Sequence, residues 1–212
     1  MKKLVWQDWL AHFWEPRLLA AKETLPPSGS EIGIVAAFPF GIAADNTLGP
    51  QGESLVERTL DLVSTYYVSG VACMGGWPKE NSLSMREASL FEARLRCRAV
   101  ERGVKLPTLH CEYGSLDTWQ QVCYLHKIRI DYPGKIPIVG VAIPHHLTRV
   151  LYVLQRYLGS PYVARAKPIS PAQWKLAGKT VLQKPSLFSI RETIVLALYR
   201  LGLAQILSQL FT

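Results

Sequence analysis

The chain has 212 residues, 49% of them hydrophobic and 19% charged, with a formal net charge of +8 and a pI near 9.4. That length supports one sizeable core, and the absence of a composition shift along the chain excludes two equal domains. The positive charge suits an anionic partner, but with no dense Lys/Arg tract it selects neither nucleotide, nucleic acid nor acidic membrane surface.

At the start, Trp6, Trp9, Leu10 and Phe13 recur at helical spacing and predict an amphipathic helix over 3–15 with an aromatic face, suited to cover a sheet or a partner. Gln7, Asp8, His12 and Glu15 interrupt any apolar run of the kind a cleaved signal needs. Pro26-Pro27-Ser28-Gly29-Ser30 reads as a linker, so residues 1–25 form an appended helix and 31–212 the main domain.

From residue 31 strands and helices alternate. The strand Ile32 to Phe38 is followed by the helical stripe Val56, Leu60, Val63 and Tyr67, then by the strand Val71 to Met74 and the turn Gly75-Gly76. Ser84 and Glu87 have capping-box spacing and open a helix whose inward stripe is Ala88, Phe91, Leu95 and Ala99, with Gly103 as its stop. Next come the strand Pro107 to Glu112 and a helix from Ser115 to Ile130. The apolar run Ile136 to Ile143 follows, reading as a strand covered on both faces, and leads into a helical pattern from Leu147 to Leu158. A fifth strand fits Tyr162 to Arg165. Pro168 to Pro185 reads as a loop holding a short helix over Gln173 to Ala177, and the terminal helix begins near Ser186.

This order predicts an α/β fold, a Rossmann-like three-layer sandwich with a mostly parallel sheet of about five strands flanked by helices. Thr193 to Thr212 is apolar and about long enough to cross a bilayer, but Arg200 and Gln205 would lie inside such a span. The arginine alone costs about 3 kcal/mol there, which favours a docked helix and leaves peripheral membrane contact open. Cys73, Cys97, Cys111 and Cys123 form no Cys-x-x-Cys pair and read as reduced core thiols of a cytoplasmic chain.

A parallel sheet gathers its strand ends on one rim. Gly75 and Gly76 bring a backbone that can approach a ligand closely, or make a plain turn. Ser115 and Thr118 bring hydroxyls at a helix N-terminus, where an anion can dock, or a cap and nothing more. His145 and His146 are adjacent, so one can face the crevice while the other packs. Arg149, one turn further, can reach a phosphate or carboxylate bidentately, or lie on a solvated face. Glu87 adds a carboxylate, either as the capping partner of Ser84 or, with a crevice histidine, as an acid/base pair or half of a metal site. His110, Cys111, His126, His145 and His146 match no zinc spacing. Arg94, Arg98 and Arg102 share one helix face, but Glu92 and Glu101 are interspersed and no aromatic platform accompanies them, which argues against nucleic acid.

Arg58, Gly75-Gly76, Glu87-Ala88, Gly103-Val104, Glu112, Ser115, Thr118, His145 or His146 with Arg149, and Arg191-Glu192 occur in an order and spacing that resembles the YdcF/SanA/ElyC-like family, over about residues 31 to 205. The resemblance implies a Rossmann-like fold, a small-ligand site with a nucleotide-like cofactor such as S-adenosylmethionine as a candidate, and links to the bacterial cell envelope. The chain departs from it at Ala36-Ala37-Phe38-Pro39-Phe40-Gly41, where the family's first strand runs into a glycine turn beside a small residue. The expectation is a protein binding an anionic or nucleotide-like small molecule at the strand-end crevice. If it is an enzyme, it uses the histidine for proton transfer or hydrolysis and Arg149 to stabilise charge. The competing expectation is an interaction protein that uses Trp6, Trp9, Phe13 and the apolar terminal helix on a membrane or partner.

Overall fold

The computed structural model describes residues 21–39, 42, 47–75, 86–115, 117–132, 137–170, 173 and 185–203, with the backbone alone at 185–189. Its elements run β1 (Glu31–Ala37), α1 (Gly49–Thr65), β2 (Tyr67–Cys73), α2 (Glu87–Arg102), β3 (Thr108–Cys111), α3 (Thr118–Arg129), β4 (Ile138–Ala142), α4 (Pro144–Val153), β5 (Tyr162–Arg165) and α5 (Pro185–Arg200). The five strands form one sheet in the order β3-β2-β1-β4-β5, with every pairing parallel. This is the Rossmann-like three-layer α/β sandwich that the alternation of elements predicts. The strand order reverses between β1 and β4, and the carboxyl ends of the strands at such a reversal are where open α/β sheets hold their ligands.

Both sheet faces are buried, and the strand sequences show why. Val35 and Ala37 of β1, Val71 and Cys73 of β2, and Val139 and Val141 of β4 pack with Leu55, Val56 and Leu60 of α1 and Ala88, Phe91 and Leu95 of α2. Ile34, Ala36, Ala72 and Ala142 face the opposite layer, where Val122 and Leu125 of α3, Leu147 and Val150 of α4, and Tyr199 of α5 cover them. Gly140 of β4 lets α4 come close, because a Cβ there would stand 2.7 Å from a Val150 methyl and 2.6 Å from Leu154.

Several boundaries differ from the sequence pattern, each for a local reason. Tyr67 was the expected last member of the α1 stripe but opens β2, 79% exposed. Ser64 and Thr65 turn their hydroxyls back onto the carbonyls of Leu60 and Asp61, which weakens the last turn, and Tyr66-Tyr67-Val68 is better suited to a strand. The N-cap of α2 is Arg86, with no side-chain cap; Ala88 N instead donates to Gly75 O at 3.0 Å. The N-cap of α3 is Asp117, whose Oδ1 accepts from Gln120 N at 2.9 Å, and not Ser115. Pro144 opens α4, a position where its missing N–H costs nothing, so the two histidines lie within the helix rather than before it. A π-helical turn, Leu154–Leu158, prolongs α4 as far as Gly159 at φ +65°.

The reading of four core thiols is corrected. Cys73 is buried, Cys111 and Cys123 are half-buried and Cys97 is exposed on α2. The arginine face of α2 is occupied. Arg94 pairs with Glu53 at 2.7 Å, Arg98 with Glu57 at 2.6 Å, and Arg102 with Glu57 and Asp61 at 3.0 Å each, so these guanidinium groups tie α2 to α1. The aromatic helix over 3–15, Phe40, Gly41, Gly76, Ser84, Gln205 and the short helix beyond Gln173 lie outside the described residues. Among the described residues no helix is long and apolar enough to cross a membrane.

Candidate functional site

Three helix N-termini and two strand ends build the crevice. β1 leads to Pro39 and β2 to Gly75, which adopts φ +121°. A Cβ at Gly75 would lie 2.6 Å from Glu87 Oε2 and 3.3 Å from Pro39, so only glycine lets the start of α2 close over the end of β1. Glu87 is thereby buried at the first position of α2, beside Gly75.

The first turn of α4 supplies His146 and, one turn on, Arg149, both buried. Their partner comes from α5. Glu192 Oε2 lies 2.9 Å from His146 Nδ1 and 3.0 Å from Arg149 Nε, and Glu192 is 1% exposed. Arg149 Nη2 is also 3.0 Å from His146 Nδ1. Nδ1 thus faces both an acceptor, the Glu192 carboxylate, and the donor groups of Arg149, and can serve only one of them; Nε2 lies 3.5 Å from Thr118 Oγ1 at the start of α3. Glu192 Oε1 is enclosed and has no hydrogen-bond partner among the described residues.

Charges around this group set its protonation. Burial first, and Arg149 second, hold the His146 imidazole below its ordinary value, so it is neutral near pH 7. Burial alone would raise the Glu192 carboxyl, but Arg149, His146 and Arg191 together outweigh it and keep the group ionised. Arg191 joins the cluster from α5; burial first and Arg149 second lower its guanidinium, while Glu192 and, more weakly, Glu87 favour its charged form. The first turns of α1 and α4 carry no acidic side chain, so their helix dipoles leave positive potential at this rim.

Of the residues expected from sequence, Gly75, Glu87, Thr118, His146 and Arg149 converge here. His145 is buried one residue earlier, about 100° around the helix axis from His146. Ser115 is buried but plays a different part: its amide and that of Gly114 donate to Glu112, at 2.9 Å and 2.7 Å, which folds the loop after β3. Arg149 does not stand ready as a bidentate clamp, because Nε and Nη2 are turned inward to Glu192 and His146. Glu192 was absent from the expected site residues. Its signal was a carboxylate at helical spacing with Leu196 and Tyr199 on the buried stripe of α5.

No group of three His, Cys, Asp or Glu side chains suited to a metal ion occurs among the described residues. A separate hollow of about 650 Å³ beside α1 is lined by Glu53, Glu57, Arg58, Arg165 and Lys167 among others. Glu53 and Glu57 there are paired to arginines of α2, and Arg58 to Glu23, which makes it a solvated ion-pair groove. Comparison of the chain with protein-family models, with curated proteins and with solved structures found no match. The YdcF/SanA/ElyC-like resemblance therefore rests on the residues quoted for it.

Proposed function

We propose that the protein binds an anionic small molecule at the crevice between β1 and β4 and that His146 exchanges a proton with it. The observation that carries this reading is the buried Glu192–His146 pair, with Arg149 Nε on the same carboxylate oxygen. In this reading Nδ1 carries its proton toward Glu192 rather than accepting from Arg149, and the carboxylate stabilises the imidazolium that forms when Nε2 takes a proton. Arg191, together with the N-termini of α1 and α4, supplies the positive potential for the anion. Arg149 acts one step back, holding Glu192 ionised and His146 neutral. A phosphate-bearing compound, nucleotide or envelope precursor meets these requirements; S-adenosylmethionine fits less well, because its sulfonium adds positive charge.

The test is thermal denaturation with inorganic phosphate, nucleoside mono- and diphosphates and sugar phosphates. A ligand at about 100 times its Kd stabilises the native state by about 2.7 kcal/mol. The expected result is a raised melting temperature for at least one compound, lost in Arg191→Ala and retained in Arg94→Ala. Failure of every compound, or equal shifts in both variants, would remove the anion site.

A further inference from the structure

On the other face of the sheet, β2 and β3 end on two cysteines in direct register. Cys73 pairs with Cys111 across the parallel ladder, and both side chains belong to the layer under α1 and α2. Registered neighbours in a sheet have Cα atoms about 4.8 Å apart, inside the range a disulfide spans, 4.4–6.8 Å. Cys73 is fully buried and Cys111 half-buried, so a reagent from solvent meets Cys111 first.

A carboxylate, a phenol and, behind them, a guanidinium surround Cys111. Its thiol donates to Glu92 Oε2 at 2.9 Å, and the Tyr113 hydroxyl donates to the same oxygen at 3.4 Å. Arg96 pairs with the other oxygen at 2.7 Å. Hydrogen bonding from Cys73, and further down from Tyr113, favours the Cys111 thiolate, while burial and Glu92 oppose it. Cys73 is held as the thiol by the hydrogen bond to Cys111 and by burial. The difference in exposure places Cys111 to react and Cys73 to resolve.

We propose that Cys73 and Cys111 form a reversible dithiol/disulfide site that is oxidised by small hydroperoxides. The Cys111 thiolate attacks the terminal peroxide oxygen, the O–O bond breaks, and the alkoxide or hydroxide leaves and takes up a proton. Cys111 is then a sulfenic acid. The Cys73 sulfur attacks the sulfenic sulfur, its proton leaves with the departing hydroxyl as water, and an S–S bond remains. The pair has lost two electrons and the peroxide has gained them; a dithiol reductant reverses the step. The site is independent of the proposed ligand crevice, although Cys73 O accepts from Glu112 N at 2.9 Å and Glu112 folds the loop that leads to α3.

The experiment is stepwise oxidation of the native full chain with hydrogen peroxide, followed by differential alkylation and peptide mapping. The expected product is a linked peptide pair containing Cys73 and Cys111, formed before Cys97 is modified and reversed by dithiothreitol. In Cys73→Ser the same treatment leaves a dimedone-reactive sulfenic acid at Cys111. The proposal is overturned if Cys97 oxidises first while Cys73 and Cys111 stay alkylatable, or if their link forms only after unfolding in urea. The wild-type map decides this even where the serine variant does not fold.

Discussion

Replacing Glu192 by Gln keeps the shape of the side chain and removes its charge. Glu192 Oε2 lies 2.9 Å from His146 Nδ1 and 3.0 Å from Arg149 Nε, with Glu192 1% and Arg149 6% exposed. The amide still offers one acceptor, but the buried guanidinium loses its counter-charge. Removing one partner of a buried ion pair costs about 3–5 kcal/mol, whereas an exposed pair such as Arg94–Glu53, each side chain more than a third exposed, is worth about 0–1 kcal/mol. For a chain of this size each kcal/mol shifts the melting temperature by about 2–4 °C. Glu192→Gln is therefore expected to melt roughly 6–20 °C lower and Arg94→Ala to be nearly unchanged. Urea denaturation of Glu192→Gln, Arg149→Met and the double variant measures the coupling directly, and the double variant should lose less than the sum of the singles by more than about 1 kcal/mol. A loss under about 1 kcal/mol for Glu192→Gln, or strict additivity, would refute the account of a buried, charge-compensated cluster.

Acid should destabilise the protein in two windows. His146 is neutral in the fold and has an ordinary value of 6.5 when unfolded, so its contribution is whole above that pH and declines below it, down to its lowered native pKa. The limiting slope is about 1.4 kcal/mol per pH unit. His110 is lowered by burial and acts with the same sign, so His146→Gln should reduce the slope in a series of urea melts without abolishing it. Glu192, lowered from 4.5, contributes above that value and loses its contribution as pH falls through its native pKa. Gly75→Ala forces a side chain into φ +121° and against Glu87 Oε2, and is expected to cost at least about 1–3 kcal/mol in urea denaturation. A neutral outcome there would mean that α2 does not close on the end of β1 as described.

The fold was legible because burial on both sheet faces leaves continuous apolar strands such as Ile138 to Ala142, and because helical stripes such as Ala88, Phe91, Leu95 and Ala99 are local signals. Helix starts were less legible, since they are decided by competition. Ser115 has the chemistry of a cap, yet its amide is taken by Glu112 and the cap falls to Asp117. Glu87, Thr118, His146 and Arg149 could be placed on one rim because a parallel sheet sends every strand end to the same side. Their pairing could not be read, because it depends on how far α5 slides along α4. That packing sets Glu192 against His146, and a carboxylate on a largely apolar helix signals burial without naming its partner.

The central claim is a neutral His146 with its proton on Nδ1 toward Glu192 and its Nε2 toward Thr118. A nitrogen-15 NMR titration of the histidines, with and without inorganic phosphate, measures this most directly. The account predicts the Nδ1–H tautomer at pH 7, titration below 6.5, and a change in the His146 resonances when phosphate is added. A protonated His146 at pH 7, the Nε2–H tautomer, or resonances indifferent to phosphate and to every phosphate ester tested would contradict it.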